Sequence, residues 1–133
     1  MEDDRRLAAR NLLRQGLRIM NNRFHIPEQE LTSIRLRDKV CAYCGKSMVY
    51  PYERTKAGNS ATIEHLSPDP PYYWEHGMKA DNIVICCGAC NSSRGAKQLS
   101  DWFAARYCLE KGICVDTVAD PVKKYILRLE LQK

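Results

Sequence analysis

The strongest constraint on this chain is a pair of Cys-x-x-Cys units, Cys41–Cys44 and Cys87–Cys90. Two thiolates spaced in this way can hold two corners of a tetrahedron around zinc, so two units make a closed four-sulfur site. The units are separated by 42 residues (45–86), more than in common small zinc fingers. We therefore expect Zn²⁺ to join two distant segments in a structural role, because a closed site leaves no position for substrate.

Because Cys86 and Cys87 are adjacent, the identity of one of the four zinc ligands needs a further argument. The chain has seven cysteines, and an odd number without an export signal argues against a full disulfide framework. Cys86 could replace its neighbour Cys87 as a ligand, but only Cys87 has the two-residue spacing to Cys90. We assign Cys87 to zinc, and we expect Cys86 and Cys108 to be buried thiols. Two redox or merely buried cysteine pairs are the alternative.

Size and charge narrow the class of protein. A chain of 133 residues supports one domain with a modest core. Its net charge of +5 slightly favours a polyanionic partner, although a solvated basic surface explains the charge equally well. No apolar run approaches the length of a membrane span, and the acidic N-terminus is unlike a signal peptide. We expect a cytoplasmic protein with no membrane partner.

Turn formers and apolar periodicity predict short elements. Extended segments are predicted as a hairpin over 40–50 and strands over 61–66 and 82–85. Helices are predicted over 4–21, 27–37, from 91 with an interruption near 95, over 101–111 with Ser100 as its cap, and from 120 onwards. The predicted organisation is an N-terminal helical extension (1–39) packed on a core module (40–111), followed by a C-terminal helical tail (112–133).

The residues best suited to catalysis lie between the cysteine pairs and just after them. A histidine can take a proton from water near neutral pH, and carboxylate and amide oxygens are ligands suited to Mg²⁺. Glu64 and His65 are adjacent on a predicted strand, where neighbouring side chains point to opposite faces. At the end of the strand, both can still approach one site. Asn82 and Asn91 flank the second cysteine pair, although alone they are typical of a turn and a helix N-cap.

The combined order of these motifs resembles the HNH endonuclease family. The chain has Cys41-x-x-Cys44, then Glu64-His65, then Asn82, and then Cys87-x-x-Cys90-Asn91 followed by Ser-Ser-Arg-Gly. This order is similar to the zinc-stapled branch of the family over residues 40–103. The resemblance implies an α+β fold, in which a ββα-metal core with a four-cysteine zinc site is flanked by N-terminal and C-terminal helices. It also implies that the protein hydrolyses DNA phosphodiester bonds, in one strand or in both.

The resemblance assigns a role to each motif residue. His65 matches the general base that activates water, and Asn82 matches the residue that orients this base. Glu64 and Asn91 match the two ligands of one catalytic Mg²⁺ or Mn²⁺ on the scissile phosphate. Position 64 departs from the pattern, because Asp is the commoner residue there and Glu is one methylene longer.

Substrate contacts and alternative functions complete the hypothesis. We expect Arg94 and Lys97 on the helix after the second cysteine pair, where they would contact phosphates or be solvated cations. Tyr72, Tyr73 and Trp74 would stack on DNA or pack over the core. A homodimer or partner subunit is possible. One alternative is an inactive zinc-stabilised module that binds DNA or protein, and another is a redox or zinc-handling protein.

Overall fold

The computed structural model describes residues 22–132, and within this range the protein is a small mixed α/β domain. In chain order the elements are α1 (Glu28–Arg37), a 3-10 segment (Arg54–Asn59), β1 (Ala61–His65), 3-10 turns at Trp74–His76 and Ala80–Asn82, β2 (Ile83–Cys87), α2 (Gly88–Arg94), α3 (Leu99–Phe103), α4 (Arg106–Lys111) and α5 (Asp120–Leu131). The helix predicted over 4–21 lies outside the described residues. No helix within 22–132 combines the length and apolar character that crossing a membrane requires.

The two strands form an antiparallel sheet whose register runs from Ala61 opposite Cys87 to His65 opposite Ile83. All five residues of β2 are buried, which is typical of a strand covered on both faces. β2 runs directly into α2 without a loop. The last cysteine pair therefore spans the junction between a buried strand and the helix that follows it.

A separate apolar cluster covers each face of the sheet. On one face, β2 contributes Val84 and Cys86 to a cluster that contains the four paired cysteines and buried residues of the C-terminal helices, among them Trp102, Cys108, Val122 and Tyr125. On the other face, Ile83 and Ile85 join a cluster formed with the N-terminal segment: Phe24, Ile26, Leu31, Ile34, Ile63 and Met78. This alternation along β2 follows from the two-residue period of a strand.

Gly88 allows the 3-10 segment to pack against the start of α2. An added Cβ at this position would lie 2.0 Å from the Ala57 carbonyl oxygen. The Gly88 N–H also donates a 3.0 Å hydrogen bond to the Ser60 carbonyl. Only glycine leaves room for this backbone-to-backbone approach, so the position of the 3-10 segment depends on the absence of a side chain.

Several predicted elements are confirmed. The predicted 27–37 helix is α1, with Leu31 and Ile34 buried as expected. The predicted 61–66 strand is β1, and the last helix begins at Asp120. Over 40–50, by contrast, the structure has two isolated bridges and no strand: Val40 pairs with Ser47, and Val49 pairs with Ser60 outside the segment. In place of a regular hairpin, hydrogen bonds within the cysteine turn hold this segment, including one from the Cys41 N–H to the Lys46 carbonyl.

The predicted 101–111 helix is wrong in its start and its continuity. It begins at Leu99 after Gln98, so Ser100 is not its cap, and it is divided into α3 and α4. In a continuous helix, side chains six residues apart project in directions that differ by about 120°. Trp102 and Cys108 would therefore face different sides of such a helix. Both are fully buried in the same cluster. The break at residues 104 and 105 allows both to do so.

Candidate metal centre and neighbouring polar residues

The four paired cysteines come together as the sequence predicts. The sulfur atoms of Cys41, Cys44, Cys87 and Cys90 all lie within 4.8 Å of one another, and three of these residues are buried. The Sγ atoms of Cys44 and Cys87 are 4.0 Å apart. Zn–S bonds of 2.3 Å in a tetrahedron place sulfurs about 3.8 Å apart. The donor set and its spacing therefore fit a structural zinc ion.

Hydrogen bonds at the cluster favour negative charge on the Cys41 sulfur in particular. The backbone N–H groups of Cys44 and Cys87 donate to Cys41 Sγ, at 3.5 and 3.3 Å. The pKa of Cys41 is lowered, mainly because the Cys87 and Cys90 thiols donate to its sulfur. The pKa of Cys90 is raised, because it donates to the Cys41 and Cys87 sulfurs. A zinc ion would replace these shared protons, since the ligating cysteines bind as thiolates.

The structure also decides the choice between the adjacent cysteines. Cys87 belongs to the cluster, whereas Cys86 is fully buried with its Sγ 3.7 Å from the Thr62 hydroxyl. Burial raises the pKa of the Cys86 thiol well above its usual range. Cys108 is likewise fully buried, and burial raises its pKa to about 11. Both are core thiols, as predicted.

Tyr107 is a neighbour of the cluster that the sequence analysis missed. Its hydroxyl lies 3.3 Å from Cys90 Sγ, and its ring lies against Trp102 with centroids 6.0 Å apart. A hydroxyl that donates to a ligating sulfur stabilises the thiolate. No motif spacing connects residues 90 and 107, because their proximity arises from the packing of α4 on α2.

Glu64 and Arg94 form a buried ion pair on the same side of the sheet. Their side chains are only 5% and 1% exposed, and Arg94 Nη1 lies 3.6 Å from Glu64 Oε2. This separation exceeds a hydrogen bond, and Oε2 has no hydrogen-bond partner among the described residues. Burial raises the pKa of Glu64 to about 7 although the nearby guanidinium opposes this shift.

The prediction that Arg94 lies on an exposed helix face is wrong. Its guanidinium donates to the Leu66 and His65 carbonyls at 2.6 and 3.3 Å and to the Tyr43 hydroxyl at 3.3 Å. Its Nε donates to the Lys97 carbonyl at 3.0 Å. Buried carbonyls require donors, and these contacts direct the side chain into the protein. Arg94 does not reach a phosphate from this position.

His65 lies on the opposite face of the sheet from Glu64. Directly opposed residues of antiparallel strands share a face. Glu64 is opposite Val84 of one apolar cluster, whereas His65 is opposite Ile83 of the other. The His65 ring centroid lies 5.8 Å from that of Phe24 and 5.5 Å from that of Tyr72. The structure therefore does not bring the Glu64 and His65 side chains to one site.

Both ring nitrogens of His65 meet backbone carbonyls. Nδ1 hydrogen-bonds the Ser67 carbonyl, and Nε2 lies 3.0 Å from the Pro71 carbonyl oxygen. A neutral imidazole has one N–H, so it donates to one of these carbonyls and turns a lone pair towards the other. The segment after β1 therefore faces the ring at both ends, and a neutral ring is hydrogen-bonded to it at one end only.

The two asparagines take different positions around β1. Asn82 ends the 3-10 turn before β2, and its carbonyl accepts a 2.7 Å hydrogen bond from the Leu66 N–H. Asn91 is inside α2 and is not its N-cap, since the helix begins at Gly88 after Cys87. Its Nδ2 donates to the Thr62 hydroxyl at 3.0 Å and to the Ile63 carbonyl at 3.2 Å. These contacts place Asn91 on the face of the sheet that Glu64 shares with Thr62.

Lys97 follows α2 and is not part of it. The helix ends at Arg94, and the exposed Lys97 turns its ammonium back to the Ser93 and Arg94 carbonyls at 3.1 and 3.5 Å. A cation at this position stabilises the last carbonyls of the helix. The expected helical position of Lys97 is thus wrong, although the residue is at the surface.

The aromatic segment after His65 is largely exposed. Tyr72 and Tyr73 are 41% and 40% exposed, whereas Trp74 packs against the Phe24 cluster. Tyr73 stacks on the His25 ring with centroids 4.9 Å apart. The segment thus combines packing with an accessible aromatic surface.

Comparison with known proteins identifies no family model that matches this chain, and no curated protein matches it significantly.

Proposed function

We propose that this protein is a metal-dependent HNH-type endonuclease that hydrolyses DNA phosphodiester bonds. The observation that carries the proposal is the placement of Glu64-His65 at the end of β1, paired with the strand that leads into the cysteine-bearing α2. A ββα unit fastened by zinc, with this dipeptide at the end of its first strand, agrees with the resemblance in the sequence. The charge of +5 is compatible with DNA as the partner.

His65 is the proposed general base. An N–H on Nδ1 that donates to the Ser67 carbonyl leaves the lone pair on Nε2 and sets the direction of the ring. Nε2 can then accept a proton from the attacking water. In the present arrangement the Pro71 carbonyl stands 3.0 Å from Nε2, so the segment after β1 must move to admit the water. Asn82 is proposed to support this geometry by pairing with the residue after His65.

Glu64 and Asn91 are the proposed ligands of one Mg²⁺ or Mn²⁺. Glu64 Oε2 is a buried carboxylate oxygen without a hydrogen-bond partner among residues 22–132, which is the kind of atom that a cation would satisfy. Asn91 offers a carboxamide oxygen on the same face of the sheet, since its Nδ2 is engaged by β1. When bound, such an ion would stabilise the charge that develops on the scissile phosphate. Because His65 lies on the opposite face of the sheet, the end of β1 must rearrange for the ion and the base to act on one phosphate. Lys97, at the surface after α2, is the remaining proposed phosphate contact.

The test is nicking of supercoiled plasmid by the zinc-loaded protein with Mg²⁺, Mn²⁺ or EDTA. We compare the parent with His65→Ala and with His76→Ala, which removes an exposed histidine from the neighbouring loop. We expect nicking that requires the divalent ion, is retained in His76→Ala and is lost in His65→Ala. If His65→Ala cuts as fast as the parent, the assignment of the base is wrong.

A second candidate is a zinc-stabilised module that binds DNA or protein without cutting it. Two observations favour it: Glu64 faces the interior beside Arg94, and the Pro71 carbonyl stands at His65 Nε2. A protein that retains zinc and DNA but shows no nicking with either ion would support this candidate over the nuclease. The same preparation therefore separates the two functions.

A further inference from the structure

We infer that Arg94 is a positioning residue that ties the zinc-bearing helix to the strand end carrying Glu64 and His65. Its catalytic consequence rests on the proposed nuclease function, whereas its effect on the strand end does not. The inference gives a function to a buried arginine that the sequence pattern placed at the surface. It starts from the hydrogen bonds at the end of β1.

Arg94 binds the strand where the pairing with β2 ends. The last residue pair of the sheet is His65 with Ile83. Beyond it, the Leu66 N–H still donates to the Asn82 carbonyl at 2.7 Å, while the Leu66 and His65 carbonyls are directed to the Arg94 guanidinium. The side chain of Arg94 therefore continues the hydrogen bonding of β1 past the sheet. It holds the backbone from which the His65 ring projects.

The same guanidinium reaches two other segments. Nη1 also contacts the Tyr43 hydroxyl, within the first cysteine turn, and Nε donates to the Lys97 carbonyl after α2. One rigid side chain thus connects the cysteine turn, the end of α2 and the end of β1. A guanidinium has five N–H donors in a planar fork, whereas the single nitrogen of a lysine cannot meet these acceptors together.

This arrangement makes Arg94 act through the backbone and not through the substrate. The side chain is 1% exposed, so it does not touch DNA in this conformation. Loss of the fork should release the end of β1 and displace His65. The four cysteines should remain in place, and so should the Lys97 ammonium, which the Ser93 and Arg94 carbonyls hold independently of the fork. A base that is misplaced by about 1 Å loses catalytic rate without losing substrate affinity.

The test replaces Arg94 with Lys, which keeps the charge beside Glu64 and removes the fork. The matched control is Arg106→Lys, because the Arg106 side chain is 90% exposed and pairs only with Glu110 on α4 among the described residues. The first readout is amide hydrogen exchange by NMR in the zinc-loaded protein without DNA. We expect the Leu66 amide to exchange about tenfold faster in Arg94→Lys, the factor for one lost charged hydrogen bond. The Ala61 amide, at the other end of β1, should be unchanged.

The second readout is steady-state plasmid nicking. For Arg94→Lys we expect kcat to fall at least about tenfold, with KM and its salt dependence unchanged. A raised KM together with a salt slope reduced by about 1 would instead identify a phosphate contact and overturn the inference. An unchanged Leu66 exchange rate would also overturn it. If the parent does not nick at all, the exchange result still decides whether Arg94 positions the strand end, and only the proposed function fails.

A second variant covers the case in which Arg94→Lys does not bind zinc. The double variant Glu64→Gln/Arg94→Met removes both members of the buried ion pair, so neither charge is left uncompensated. We expect it to retain zinc and to show the same accelerated exchange at Leu66. Protection of the Leu66 amide equal to that of the parent would contradict the inference.

Discussion

The Arg94 guanidinium lies 3.6 Å from a carboxylate oxygen of Glu64 in a part of the protein from which solvent is almost excluded. Arg94 has other hydrogen-bond acceptors, whereas Glu64 Oε2 has no hydrogen-bond partner among residues 22–132. The two members of the pair therefore depend on it unequally. Glu64 relies on the nearby positive charge, and this asymmetry leads to the first two predictions.

Replacing Arg94 with Met should destabilise the domain strongly. The substitution removes the counter-charge of the buried Glu64 and the donor to the Leu66 and His65 carbonyls, which together cost about 3–5 kcal/mol in the free energy of unfolding. Adding Glu64→Gln to the same chain should restore part of this loss. Urea denaturation of the two single variants and the double variant measures the coupling, and strictly additive losses would show that the two side chains do not interact.

The stability contributed by Glu64 should fall as the pH rises. Burial raises the pKa of Glu64 to about 7, above the usual value of 4.5, so the folded state binds the proton more tightly than the unfolded chain does. Stability from this group is complete below about pH 4.5 and is lost between there and about pH 7, by up to about 3 kcal/mol.

Glu64→Gln isolates this contribution from other titrating groups. Urea denaturation of the zinc-loaded parent and of Glu64→Gln at pH 5, 6 and 7 should show a stability difference that shifts in favour of the variant as the pH rises. A difference that is independent of pH would mean that the Glu64 pKa is not raised.

Substitution of the adjacent residues Cys86 and Cys87 should have opposite effects on bound zinc. Cys87→Ser removes one of four ligands and should reduce bound zinc from about one ion per chain to near zero, with a large loss of stability. Cys86→Ser changes a buried thiol outside the cluster and should keep the ion. Zinc content by elemental analysis of the two variants tests this, and loss of zinc from Cys86→Ser would reverse the ligand assignment.

Gly88→Ala should disrupt the contact between α2 and the 3-10 segment. The new Cβ would lie 2.0 Å from the Ala57 carbonyl oxygen, so backbone must move, at a cost near the top of the roughly 1–3 kcal/mol range for overpacking. Gly58→Ala is the matched control, because its Cβ would meet only the Ala89 Cβ at 3.8 Å. Thermal unfolding should show a clear decrease in Tm for Gly88→Ala alone, and equal decreases would show that the tight contact is relieved at little cost.

The four-cysteine cluster was predictable from the sequence because its signal is local. Within each pair, the two-residue spacing alone places both sulfurs at one turn, so the ligand set follows wherever the pairs meet. The starts of α1 and α5 were predictable for a similar reason. A proline at or near the first turn and acidic residues beside it favour a helix start, whatever the rest of the fold does.

The positions of the charged and polar residues around β1 depended on the tertiary structure. Nothing in the local sequence distinguishes an arginine at the end of a short helix that binds phosphate from one that turns inward. Arg94 is buried because the strand end and the cysteine turn present acceptors that lack other partners. Likewise, the side chains of Glu64 and His65 lie on opposite faces of the sheet because β1 stays regular to its last residue.

For this protein, then, the four cysteines of the metal-binding cluster and the main helix and strand segments follow from the sequence alone, because spacing and periodicity act over a few residues. The tertiary structure decided which face of the sheet each polar side chain occupies and which charges are buried. Those outcomes depend on partners that are distant in the sequence, as in the contacts from Arg94 to Leu66 and Tyr43, separated from it by 28 and 51 positions. Burial makes such contacts obligatory, since a polar group removed from water must find a partner inside the fold.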